Sequence, residues 1–209
     1  VLRRIGILAE KGYREIVLTG IHIGTYGQDL SPRSNIAAMI EKIIRQRNIE
    51  RLRLSSIEPQ EVTDDLISLI KENRTICRHL HIPLQSGDDR ILADMNRVYD
   101  TGFFMRLADR LVQAVPELAI GIDIMAGFPG EDEESFIRSS EFVKSLPVAY
   151  FHVFPYSQRP GTPASVMAAQ VGEQEKKRRA QILRDIGLAK RNSFMNLCLG
   201  SFVDVLIEN

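Results

Sequence analysis

Five short apolar runs in this 209-residue chain each end abruptly in a loop of glycine, hydroxyl or charged residues, and those loops hold the side chains able to do chemistry. The first loop, Thr19-Gly20-Ile21-His22-Ile23-Gly24, has two glycines that let backbone approach a ligand closely or that simply turn the chain. The second, Ser55-Ser56-Ile57-Glu58-Pro59, offers hydroxyls and a carboxylate suited to a ribose or an amino group. Its competing reading is a cap for the following helix, although Thr63 is better placed for that task. In the third, His81-Ile82-Pro83-Leu84-Gln85-Ser86-Gly87 with Arg97 beyond it, the glutamine can hold a ribose hydroxyl and the arginine a carboxylate, or both can simply be solvated. Asp123, between Ile122 and Ile124, is costly to bury without a partner or ligand, and Gly127-Phe128-Pro129-Gly130-Glu131 follows it. The fifth run, FHVFPYSQRPGTPA over 151–164, passes directly from apolar residues into Tyr156, Ser157, Arg159 and Thr162. Its Pro160-Gly161 alone would mark only a turn. His22, His79, His81 and His152 stand singly, and each reads as a hydrogen-bonded core or rim residue, so no metal site is expected.

An alternation of strands and helices is what brings such loops to one end of a sheet. Apolar residues at helical spacing cover 1–11 and stop at Gly12, a suitable C′ residue. Strand-like runs at 15–19, 52–55, 79–82, 119–125 and 150–154 then alternate with helical stretches at 35–47, 63–71, 88–95, 101–114, 133–145 and 173–197. This order predicts an α/β fold with a parallel sheet and crossover helices, in which ligand sites gather at the C-terminal strand ends. With a helix already under way at Val1, at least one further strand is expected upstream, six in total, which leaves no room for a complete eight-fold barrel. Residues 1–197 are read as this core and 198–209 as the opening of another domain, with 201–207 alternating weakly as its first strand.

Twenty-seven basic residues balance 27 acidic ones, so net charge points to neither a nucleic-acid nor a membrane partner, and any basic surface must be local. The run Lys176-Lys177-Arg178-Arg179, with Arg184, Lys190 and Arg191 after it, reads as a solvated helix face unless an RNA-binding module follows. Cys77 and Cys198 have no Cys or His neighbours at metal-ligand spacing and read as separate reduced thiols, which favours a cytoplasmic location. No apolar run is long enough for a bilayer, and nothing at the start resembles a signal peptide.

Taken in order, TGIHIG, LRLSSIEP, HIPLQSGDDRIL followed by MNRVY, DIMAGFPGE and FHVFPYSQRPGTPA resemble the radical S-adenosylmethionine (SAM) methylthiotransferases along nearly the whole chain. Within that family, SSIEPQEVTDDL, HLHIPLQSG and HVFPYSQRPGTPA resemble most the bacterial branch acting on N6-threonylcarbamoyladenosine in tRNA, at position 37 next to the anticodon. The resemblance implies a partial (βα)6 TIM-like barrel, here lacking its first strand. A cluster-bearing domain would precede it and a TRAM β-barrel would follow, beginning with GSFVDVLIEN. It further implies two 4Fe-4S clusters in the full-length protein, SAM, a 5′-deoxyadenosyl radical that abstracts hydrogen from C2 of adenine, a tRNA anticodon loop as partner, and an electron donor such as flavodoxin or ferredoxin. Related substrates are isopentenyladenosine in tRNA and a ribosomal-protein aspartate, and a further alternative is an inactive RNA-binding relative.

Position by position, the resemblance gives Gln85 and Asp123 to the ribose of SAM and Arg97 to its carboxylate. Ser56 or Glu58 would meet the methionine end, the backbone at Gly20 its amino group, and Ser86 would join Gln85 in binding the cofactor. Gly127 and Phe154 would flank adenine, while His22, Tyr156, Ser157, Arg159 and Thr162 would face the substrate. The three-cysteine cluster motif is expected upstream of Val1; neither Cys77 nor Cys198 replaces it, so this chain ligates no cluster and is expected to be inactive by itself.

Overall fold

The computed structural model describes residues 1–202 and 205–207. Helix α1 (Leu2–Glu10) ends at Gly12, whose φ of +86° suits glycine, and the chain then enters β1 (Glu15–Leu18). Helix α2 (Ile36–Arg45), capped by the Asn35 side chain, leads to β2 (Arg51–Leu54). Helix α3 (Asp64–Glu72) starts at Thr63, whose hydroxyl accepts from the Leu66 N–H, so the cap falls where the sequence put it. Strand β3 (His79–His81) is followed by α4 (Asp89–Asp94) and α5 (Thr101–Ala114), capped by Asp88 and Asp100. Strand β4 (Ala119–Ala126), α6 (Glu133–Ser145), β5 (Tyr150–Pro155) and the long α7 (Glu173–Leu197) complete the order.

All strand pairs are parallel, as the alternation requires. The ladder is nevertheless divided, with β1 beside β2 and a second section in the order β3-β4-β5. Strand β3 is only three residues long, and β2 is joined instead to the segment before it: the Leu52 N–H donates to Thr75 O (2.7 Å) and Leu52 O accepts from the Cys77 N–H (2.9 Å). At the other end of β3, the Ile57 N–H donates to His81 O at 3.0 Å.

Side chains alternate between the two faces of a strand, and the faces here differ in chemistry. Leu52, Leu54, Leu80, Ile120, Ile122 and Ile124 are fully buried in one apolar core with α2, α3, α5 and α7. Burying such aliphatic side chains contributes roughly 1.5–3 kcal/mol each. The opposite face is polar: Glu15 and Arg51/Arg53, then His79 and His81, then Asp123, then Tyr150 and His152. Within the segment expected to be a further strand, Ser201, Phe202 and Val205–Ile207 carry no regular element, and Val203, Asp204, Glu208 and Asn209 lie outside the described residues. Both cysteines are free, Cys77 buried and Cys198 exposed.

Candidate active site

Arg97 and Glu58 come from different strand-end loops and meet at 3.3 Å. Helix α4 closes with Asn96 in the left-handed region (φ +58°), which asparagine tolerates better than most residues, and this turn delivers Arg97 to the rim. The Arg97 N–H donates back to Leu92 O, and the buried Tyr99 hydroxyl donates to Pro83 O at 2.9 Å, tying this turn to the β3 loop. Burial pushes the Tyr99 phenol up to about 12, so it stays a neutral donor. Glu58 opens a short 3₁₀ turn (Pro59–Glu61) whose reciprocal capping contacts fix its backbone. Both side chains of the pair keep partial solvent access. A cation beside an anion at an open rim complements the carboxylate and ammonium of an α-amino acid.

The other residues expected at the strand ends have separate surroundings. Ser56 and His22 line a small cavity of about 30 Å³ with Ile21, Glu58, Glu61 and Pro83, and His22 Nδ1 lies 3.8 Å from Glu61. Gly20 is exposed, but a Cβ there would press within 2.9 Å of Ile23. Gln85 has φ +71°, uncommon for a residue with a side chain; its N–H donates to Asp123 O (2.8 Å) and its O accepts from the Met125 N–H (2.9 Å). Phe154 is half exposed on the polar face, paired in register with Met125. Ser157, Arg159 and Thr162 are exposed on a loop that braces itself, the Thr162 hydroxyl donating to Arg159 O and Gln158 to Ser165 O.

Below the rim, the polar face forms one connected cluster. Gly121 leaves space that the Tyr150 ring fills, since a Cβ there would collide with it. Lying across β4, the Tyr150 hydroxyl reaches His79 Nε2 at 2.7 Å and His81 Nδ1 at 3.5 Å. His81 Nε2 and His152 Nδ1 then meet the same Asp123 oxygen at 3.0 and 3.4 Å. Burial pushes the Asp123 carboxyl up, but the hydrogen bond and charge of His81 and then those of His152 outweigh it, holding the group below its usual range. His79 is pushed down to about 4, first by burial and then by the positive charge of Arg53. Glu15 is held below its usual range because hydrogen bonds from Arg51 and Arg53 outweigh its burial.

Four sequence expectations need correction. Ser86 is fully buried and its hydroxyl accepts from the Asp88 N–H (3.2 Å), so it shapes the start of α4 and cannot face a ligand. Gly127 has φ +74°, its N–H donates to Glu131 Oε1 (2.8 Å), and a Cβ would meet Lys176 at 2.5 Å; the glycine serves packing, and its amide is not free for a ligand. Tyr156 is buried, edge-on to Phe128 with Lys176 over its ring, and does not line the mouth. The basic run is a solvated face only in part: Lys177, Arg178, Arg184 and Arg191 are exposed, but Lys176 and Arg179 are buried, Arg179 donating to Glu131 at 2.9 Å. Sequence shows the groups of the histidine–aspartate cluster only singly, because strand register brings them together. Its signal was a polar residue on the same face of three consecutive runs.

Residues 1–143 match the profile of the Radical SAM superfamily. Over 183 residues the chain is 42% identical to the threonylcarbamoyladenosine tRNA methylthiotransferase MtaB of Bacillus subtilis (strain 168), covering 88% of this chain and 41% of that protein. It is 34% identical over 208 residues to the tRNA-2-methylthio-N(6)-dimethylallyladenosine synthase of Acetivibrio thermocellus, covering 100% of this chain and 43% of that one. The chain thus spans less than half the length of these two relatives. Coproporphyrinogen III oxidase (HemN) from Escherichia coli, a radical SAM enzyme, shares the fold with a TM-score of 0.62 at 16% identity, over 94% of this chain and 44% of that one. The chain belongs to the Radical SAM superfamily and is similar along nearly its whole length to tRNA methylthiotransferases.

Proposed function

We propose that this chain is the SAM-binding core, a partial TIM-like barrel, of an enzyme that places a methylthio group on C2 of N6-threonylcarbamoyladenosine next to the tRNA anticodon. The observation that carries the reading is the Glu58–Arg97 pair, open at the rim and matched to the amino-acid end of SAM. Arg97 would take the carboxylate and Glu58 the ammonium, replacing their contact with each other, with the Gly20 backbone and Ser56 alongside. Gln85 and Asp123 would take the ribose, and Phe154 would lie against adenine. When bound and reductively cleaved, the cofactor supplies the radical that attacks the substrate base. His22, Ser157, Arg159 and Thr162 would meet the anticodon loop, with Arg159 available to a phosphate.

An iron–sulfur cluster does not fit the described residues: three thiolates are needed, and Cys77 and Cys198 are two, one of them buried. In this reading the cluster ligands, the second cluster and the docking site of a flavodoxin or ferredoxin belong to other parts of a longer cytoplasmic protein, and the chain alone does not turn over. Similarity to a dimethylallyladenosine synthase supports isopentenyladenosine as the second substrate reading, at lower identity than the first.

The test uses the full-length protein, purified without oxygen and with its clusters rebuilt. Given SAM, a reductant and tRNA carrying unmodified threonylcarbamoyladenosine, it is expected to yield the 2-methylthio nucleoside by mass spectrometry. Methylthiolation of isopentenyladenosine alone would transfer the assignment to the second reading, and no methylthio product on either tRNA would end both.

A further inference from the structure

We propose that His81, Asp123 and His152 form a binding site for a first-row divalent cation, of which Zn²⁺ is the representative. Strand geometry puts them together: Asp123 and His152 are register partners on β4 and β5, and His81 lies opposite Gly121, two residues before Asp123. Their donor atoms all lie within 4.8 Å of one another. A tetrahedral zinc with bonds of about 2.0–2.1 Å places adjacent donors about 3.3 Å apart. The distances of 3.0 Å from His81 Nε2 to Asp123 Oδ1 and 3.4 Å from His152 Nδ1 to the same oxygen bracket that edge, and the third edge, between the two imidazoles, is within 4.8 Å.

Two imidazoles and one carboxylate are a ligand set suited to borderline divalent metals, and three protein ligands leave a position open for water. The outer contacts agree with this assignment. Tyr150 Oη sits at 3.5 Å from His81 Nδ1, the ring atom turned away from Asp123, as the second partner of a metal-bound imidazole should. His81 is buried, which limits its rotation, whereas the His152 side chain is about half exposed. His152 also borders a groove of about 500 Å³ between β5 and α7, lined by Tyr150, Arg184 and Arg191 among others. Metal capture needs only these three side chains, one of which, Asp123, it shares with the SAM site proposed above. Asp123 cannot serve a cation and a ribose hydroxyl at once, so the two uses exclude each other.

The test titrates the chain, carrying Cys198→Ser to remove its exposed thiol, with Co²⁺ followed by visible absorption and then with Zn²⁺ in competition. One equivalent of Co²⁺ with nitrogen and oxygen ligand-field bands, displaced by Zn²⁺, is expected. His152→Ala and Asp123→Asn, each checked for folding by circular dichroism, should each weaken Zn²⁺ by more than the 10–100-fold that loss of an outer contact brings. Absence of saturable binding, or binding unchanged in the folded His152→Ala protein, would overturn the site and leave the three groups as a hydrogen-bonded cluster.

Discussion

Arg97 and Glu58 are separated by 39 residues, and nothing in either neighbourhood says that they touch. Their types suggest a carboxylate ligand and an amino ligand; that they pair with each other is visible only in the fold. Charge-assisted hydrogen bonds contribute about 1.5–3 kcal/mol, so Arg97→Ala in the reconstituted full-length protein should weaken SAM binding about 10–100-fold by equilibrium dialysis, with Arg97→Lys intermediate. His79 gives a second prediction. Its folded pKa near 4 lies below its ordinary 6.5, so below pH 6.5 the unfolded chain binds a proton that the folded chain refuses. Stability is therefore full above pH 6.5 and falls as pH drops toward 4, by on the order of 1–2 kcal/mol once solvent screening of the partly exposed ring is allowed for. Urea midpoints measured across that window should show this slope, and His79→Gln should flatten it. An identical slope in the variant would assign it to other groups.

Helix α7 shows where reading one element in isolation fails. Lys176 to Arg179 looked like a solvated run, but on a helix that crosses β4 and β5 every third or fourth residue must turn inward. Arg179 is that residue, buried against Glu131, whose own carboxyl is pushed up by burial despite Arg179 and the Gly127 N–H. Breaking a buried ion pair from one side costs about 3–5 kcal/mol, so Arg179→Ala should lower the urea midpoint sharply at an unchanged m-value, whereas Lys177→Ala should stay within about 0.5 kcal/mol. Gly127 sits under the same helix. Gly127→Ala meets both a φ of +74° and the Lys176 side chain, and should destabilise by about 1–3 kcal/mol in the same denaturation series. The Thr63 cap and the strand positions were legible because they depend on local sequence, the Thr63 hydroxyl acting on the next turn of backbone. Burial of Ser86 and Tyr156 was not, because it depends on neighbours distant in sequence.

At the scale of the molecule, alternation of strand and helix was enough to give parallel pairing throughout, since each crossover helix forces it. The break between β2 and β3 could not be read, because Leu52 turns to Thr75 and Cys77 in a segment with no strand pattern of its own. Nor could the assembly of His81, Asp123 and His152, which requires the register of three strands at once. The proposed use of the rim rests on similarity to tRNA methylthiotransferases together with the Glu58–Arg97 geometry, and that proposal is open to direct trial in the organism carrying this gene. The decisive measurement is the nucleoside profile of its total tRNA, by liquid chromatography and mass spectrometry, before and after deletion of the gene. Loss of 2-methylthio-N6-threonylcarbamoyladenosine with accumulation of its unthiolated precursor is the expected result, and an unchanged profile would contradict the assignment.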